Sequence, residues 1–175
     1  MNLLILGGYS DYNRNWVENI QKNLGPLFES SEILYYKHWS PYNDNADIKP
    51  EVENLAKIAE GKKDIVVFAK SAGVSLTLQA IRNGYVNPVK CIFAGMAYEW
   101  SKHQGWDMDN LLEHFQIPTL FLQQSQDLST PFQTIKETLE KLEVINYDLI
   151  ELPGGDHQYS DMEEIKHSVE SFLKQ

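Results

Sequence analysis

Ile65-Val66-Val67-Phe68-Ala69-Lys70-Ser71-Ala72-Gly73-Val74 places a serine at the seam between two hydrophobic patterns. The run from Ile65 to Phe68 is short, continuous and rich in β-branched and aromatic residues, as in a strand buried on both faces. From Val74 onward the apolar residues Val74, Leu78 and Ile81 recur at helical spacing. Ser71 therefore stands on a tight strand-to-helix turn. Such a turn strains the backbone and folds it back on itself, so it needs small flanking residues, which Ala69 and Gly73 supply. The helix also aims its amino terminus at Ser71, where free amide hydrogens and the helix dipole favour a developing negative charge.

The same alternation extends in both directions. Strand-like runs occur at Leu3 to Leu6, Ile33 to Tyr36, Val89 to Ala94, Thr119 to Leu122 and Tyr147 to Leu152. Helical spacing fills the gaps, for example Trp16, Ile20 and Leu24, or Ile135, Leu139 and Leu142, and a last amphipathic stretch carries Met162, Ile165, Val169 and Phe172. Gly25-Pro26, Asn83-Gly84 and Pro118 punctuate the scheme. The expected fold is α/β, a three-layer α/β/α sandwich around a mostly parallel six-stranded sheet. Residues 1–175 are expected to form one domain, with a polar loop from Tyr42 to Pro50 and a short lid-like segment at about 96–117. That segment carries Tyr98, Trp100, His103 and Trp106.

Composition excludes several functions. The chain has 175 residues, 42% hydrophobic and 23% charged, with 15 Lys and Arg against 25 Asp and Glu, a formal net charge of −10. That is the wrong sign for generic contact with a phosphate backbone, so no nucleic-acid partner is expected. The single cysteine, Cys91, excludes an intramolecular disulfide and reads as buried filler within an apolar run. The first eight residues have no basic segment and too short an apolar one for a secretory signal, and no other run has the length of a membrane span. A cytoplasmic protein without a membrane partner is the expectation, as a monomer or homodimer.

The segment around Ser71 resembles the nucleophile elbow of the α/β-hydrolase family, whose usual pattern is Gly-x-Ser-x-Gly; Ala69 stands for the first glycine and Lys70 at the x position. The resemblance extends over nearly the whole chain as strand and helix order. It implies Ser71 as nucleophile and an acidic residue at Asp127, in Gln123-Gln124-Ser125-Gln126-Asp127-Leu128-Ser129-Thr130-Pro131, just past a strand. Asp127 could instead close a turn or cap the next helix, as could Ser129 or Thr130. Another strand ends in Pro153-Gly154-Gly155-Asp156-His157-Gln158-Tyr159, and the family commonly presents its histidine in a Gly-x-Asp-His setting. Asp156 adjoins His157, but neighbouring side chains diverge, which favours Asp127 as the orienting carboxylate. His38, His103, His114 and His167 read as surface or packing residues. None shows the close helical pairing of a metal site, so no metal and no cofactor are expected.

By the same resemblance the second oxyanion donor comes from Leu6-Gly7-Gly8-Tyr9-Ser10: the Tyr9 amide, paired with that of Ala72. A dinucleotide loop is the competing reading, but a further glycine and a ribose-binding acid are lacking. Gly8, Tyr98, Trp100 and Trp106 are the expected substrate contacts, although an aromatic loop equally well packs over a sheet edge. The first strand stands where larger members have their third, and insertions are short, which resembles the dienelactone-hydrolase-like and retinoblastoma-binding-serine-hydrolase-like branches. A small-molecule ester, thioester or lactone substrate is implied, cleaved through a Ser-His-Asp triad. The alternative is a non-catalytic small-molecule or protein-binding module on the same scaffold.

Overall fold

A computed structural model describes residues 1–40 and 47–175, so residues 42–46 of the expected polar loop lie outside the described residues. The elements run β1 (Asn2–Leu6), α1 (Asn13–Leu24), β2 (Ser30–Ile33), α2 (Glu51–Ala59), β3 (Ile65–Lys70), α3 (Ala72–Arg82) and β4 (Lys90–Ala94). There follow α4 (Tyr98–His103), α5 (Met108–Leu112), β5 (Thr119–Gln124), α6 (Phe132–Lys141), β6 (Tyr147–Leu152) and α7 (Met162–Leu173). Six strands form one sheet in the order β2-β1-β3-β4-β5-β6, and every pairing is parallel. Parallel neighbours require crossovers, and the helices supply them on both faces, with α1 against α7 and α2 and α5 against α3.

The central strands β3 and β5 are buried along their whole length, which is why they read as continuous apolar runs. Strand order reverses between β1 and β3. Loops leaving the carboxyl ends of these two neighbours diverge to opposite faces and open a crevice between them. The loop after β1 is Gly7 to Tyr12 and the turn after β3 is Ser71, so the two loops that carry the expected oxyanion donors flank one crevice.

Several strand boundaries differ from the sequence reading. β2 pairs through Ser30–Ile33, ahead of the expected Ile33 to Tyr36, because an edge strand needs few apolar residues; the apolar run continues past the ladder. β5 extends two residues beyond Leu122 to the buried Gln123 and Gln124. The segment at 96–117 holds the two short helices α4 and α5. Met108, Leu112 and Trp106 join the core, and a buried hydrogen bond between the Ser75 and Ser101 hydroxyls at 2.6 Å ties α4 to α3. Among the described residues no helix is long and apolar enough to cross a membrane.

Candidate active site

Ser71 takes φ 53° and ψ −120°, a conformation outside both the helical and the extended regions, as the strained turn requires. Its amide donates to Ala94 O at 3.1 Å, fixing the turn to β4. Gly73 has no room for a side chain: a Cβ there would stand 2.7 Å from Gly7 O and 2.9 Å from Leu6 Cβ. The last elbow position therefore has to be glycine so that α3 can start against β1 and its loop.

The Asp127 and His157 loops are joined backbone to backbone. Gln126 N–H donates to Gly154 O at 3.0 Å and Leu128 N–H to Gly155 O at 3.2 Å. A Cβ on Gly155 would fall 2.4 Å from Gln126 O, so glycine there permits the close approach. His157 then turns back over the sheet at φ 62°. Its main-chain N–H is held by the Gln124 Oε1 at 2.8 Å, while Gln124 Nε2 donates to Asp156 Oδ1 at 2.9 Å.

Ser71, Asp127 and His157 converge. His157 Nε2 lies 3.0 Å from Ser71 Oγ, and Nδ1 lies 2.8 Å from both Oδ1 and Oδ2 of Asp127. An ionised carboxylate only accepts, so Nδ1 carries the proton and Nε2 presents a lone pair to the serine hydroxyl. Asp127 is 1% exposed and also accepts from Ser129 N–H at 2.8 Å and Thr130 N–H at 3.3 Å. The turn-closing reading of Asp127 and its place beside His157 thus hold together. Burial raises its carboxyl, and hydrogen bonds from His157 and Tyr159 outweigh that, leaving it below the ordinary carboxylate value. Asp156 instead turns to Gln124 and to the Gln158 N–H.

No family model and no curated protein matches the chain. Solved structures do. Est1E from Butyrivibrio proteoclasticus, with ferulic acid bound, superimposes with a TM-score of 0.79 at 12% identity, over 99% of this chain and 88% of that one. Alpha/beta hydrolase domain-containing protein 10 from mouse gives 0.73 at 12% identity, over 99% and 89%. A predicted hydrolase from Thermoplasma acidophilum gives 0.74 at 16% identity, over 99% and 86%. The chain has the α/β-hydrolase fold.

In this hydrolase fold the elbow, the acid loop and the histidine loop sit at the carboxyl ends of β3, β5 and β6. The Gly7 to Ser10 loop after β1 is pinned from outside. Gly7 O accepts from the Tyr36 hydroxyl at 2.8 Å, and Tyr9 O accepts from His38 Nε2 at 2.6 Å and Trp39 Nε1 at 3.0 Å. Ala72 opens α3, so its amide belongs to the first turn, which has no acceptor within the helix. Gly8 is buried against Asn13.

Tyr9, Trp100 and Trp106 line a cavity of about 380 Å³ together with Ile48, Lys49 and Gln104. The Tyr9 and Trp100 rings are 5.8 Å apart. Tyr98 stands apart from this cavity. It is buried, and its hydroxyl donates to Asp109, tying α4 to α5. The reason is helical: Tyr98 and Ser101 share the inward face of α4, which leaves Trp100 on another.

Tyr159, Gln124 and Asn13 received no role in the sequence reading and His38 only that of a surface or packing residue, although each touches one of the predicted residues or the loop carrying it. Tyr159 lies in the same quoted segment as His157, two residues on, which was the available signal. Among the described residues no cluster of three His, Cys, Asp or Glu side chains is placed to hold a metal.

Proposed function

We propose that the chain is a serine hydrolase that cleaves an ester-type acyl bond through Ser71, His157 and Asp127. The observation that carries this reading is the unbroken line from Ser71 Oγ to His157 Nε2 and from Nδ1 to a buried, ionised Asp127. His157 takes the hydroxyl proton as Ser71 Oγ attacks the substrate carbonyl. The resulting oxyanion is received by the amides of Ala72 and Tyr9. Imidazolium returns the proton to the leaving alcohol as the C–O bond breaks, and water, activated by the same imidazole, releases the acid and restores Ser71. Asp127 holds the ring in the required tautomer and stabilises the imidazolium.

The aromatic cavity beside Tyr9 suits a short or aryl acyl group of a small-molecule substrate, with Trp100 and Trp106 as its walls. A fluorophosphonate probe should label Ser71 in the parent and not in Ser71→Ala. The same substitution should lower turnover of a short aryl ester by several orders of magnitude. Equal turnover by parent and variant, or absence of labelling in the parent, would favour a binding module that keeps the scaffold without the chemistry.

A further inference from the structure

Lys70 is the elbow residue that this chemistry leaves unused. It immediately precedes Ser71, yet it is only 4% exposed. Among the described residues no carboxylate lies within ion-pair distance of it. Its Nζ donates to Asn13 Oδ1 at 3.0 Å and lies 5.1 Å from the centre of the Trp16 ring. Burial pushes its pKa down to about 8, against an upward pull from Asp127 and Asp156. An ammonium buried against one neutral acceptor and an aromatic face is a burden on folding, so stability does not account for it.

Asn13 shows where the charge acts. Its Nδ2 donates to Ser10 O at 3.0 Å, and its main-chain N–H donates to the same carbonyl at 3.0 Å. Its side chain also underlies both glycines of the loop. A Cβ on Gly8 would stand 2.9 Å from Asn13 Nδ2, and one on Gly7 would stand 2.9 Å from Asn13 Cβ. One carboxamide therefore faces Lys70 with its oxygen and the Gly7 to Ser10 loop with its nitrogen. An ammonium has donors only, so it admits just this orientation; the flipped amide would set NH₂ against NH₃⁺ and oxygen against a carbonyl.

We propose that Lys70 is a positioning residue for the oxyanion loop: its ammonium fixes the Asn13 carboxamide, and Asn13 holds the Gly7 to Ser10 segment that carries the Tyr9 amide. The residue before the nucleophile thereby couples the two donor-bearing loops on either side of the crevice. This rests on the reading of Ser71 as an acyl-transfer nucleophile.

The test uses the parent, Lys70→Met, Asn13→Ala and the double variant, with active sites counted by fluorophosphonate labelling. Turnover of a short aryl ester is measured per labelled site. Inhibition by an aryl trifluoromethyl ketone is measured alongside, since addition of Ser71 Oγ to that ketone, with its proton passing to His157, places an oxyanion before the same donors. Lys70→Met should lower kcat by about 10–100-fold and weaken the ketone by a similar factor, with KM within about twofold and Tm no lower than the parent's. The double variant should be no slower than the slower single variant, because both substitutions break one chain of contacts. Should Lys70→Met fail to fold, Asn13→Ala carries the same expectation for kcat and the ketone. Unchanged kcat and ketone affinity in the folded variant overturn the positioning role, as do effects that simply multiply in the double variant, and parental labelling then leaves the hydrolase reading standing. A parent that the probe does not label removes that reading and this inference together.

Discussion

The hydroxyl of Tyr159 donates to Asp127 Oδ2 at 2.6 Å, so the carboxylate that receives His157 Nδ1 is gripped from a second side. The same hydroxyl accepts from Gln124 N–H at 2.9 Å, and the Tyr159 carbonyl accepts from Trp16 Nε1 at 2.9 Å. Tyr159 thus joins the acid loop, β5 and α1 at one point. Burial, reinforced by the charge of Asp127, holds its phenol far above the ordinary tyrosine value, which keeps it a donor across the neutral range.

Tyr159→Phe removes one donor from a buried carboxylate and is expected to destabilise the fold by about 1–3 kcal/mol at neutral pH. Asp127 is depressed below its ordinary 3.8 in the folded protein. Its contribution is therefore fully present above 3.8 and fades as pH falls through the lower folded value. Urea midpoints of parent and variant should accordingly converge in acid. A gap that persists undiminished would assign the loss to the Gln124 N–H left without its acceptor, and not to the bond on Asp127.

The fold was readable because its signals are local: buried parallel strands are unbroken apolar runs, and glycines and prolines mark their ends. Ser71 stood out by its strand-to-helix turn, whereas Asp127 and His157 stood out only through the resemblance of their segments to the α/β-hydrolase pattern. What stayed hidden depends on partners distant in the chain. Gln123 and Gln124 look like the polar end of a strand, yet Gln123 bridges Met96 N–H and Thr130 O, and Gln124 bridges His157 N–H and Asp156. Tyr98 and Trp100 are both aromatic residues of one segment, and only the turn of α4 sends the first into an anchoring bond with Asp109 and the second to the cavity.

Gly95 has φ 56° and follows β4 directly beneath the histidine loop. A Cβ there would stand 2.4 Å from Tyr159 Cε2 and 3.1 Å from His157 Cε1. Gly95→Ala should push the imidazole off line. The severe clash is with the Tyr159 ring, and the imidazole itself need yield only slightly; since a misplacement near 1 Å costs about 100-fold, kcat should fall by up to about that much, with a lowered Tm from the strained backbone. Fluorophosphonate labelling rates, which need the imidazole but no particular substrate fit, should fall in parallel; parental labelling rates would show that the loop absorbs the methyl group.

His38 stacks between the rings of Tyr9, at 4.6 Å, and Tyr36, at 5.5 Å, while Nε2 donates to Tyr9 O. His38→Phe keeps an aromatic ring in place and removes the donor. Trp39 Nε1 still holds the same carbonyl. The expected result is a fall in kcat of about tenfold with little change in KM, the size of one lost hydrogen bond on the oxyanion loop. Steady-state kinetics on a short aryl ester decide it, and an equal rise in KM at constant kcat would place His38 in substrate binding.

Lys70 gives a pH signature that no packing effect imitates. Its folded pKa of about 8 lies below the ordinary 10.5, so between those values the unfolded chain binds a proton that the folded chain has released. Stability linked to this group therefore rises with pH across that window, and below it the folded state bears the full penalty, on the order of 3 kcal/mol. Tyrosines with raised values oppose this trend near the upper end, so the parent alone gives a mixed curve. The difference between parent and Lys70→Met removes them. In urea titrations the variant should be the more stable at neutral pH, less whatever the lost Asn13 bond contributed, and its advantage should shrink steadily as pH climbs toward 10.5. An advantage independent of pH would place the Lys70 charge outside the energetics of the fold.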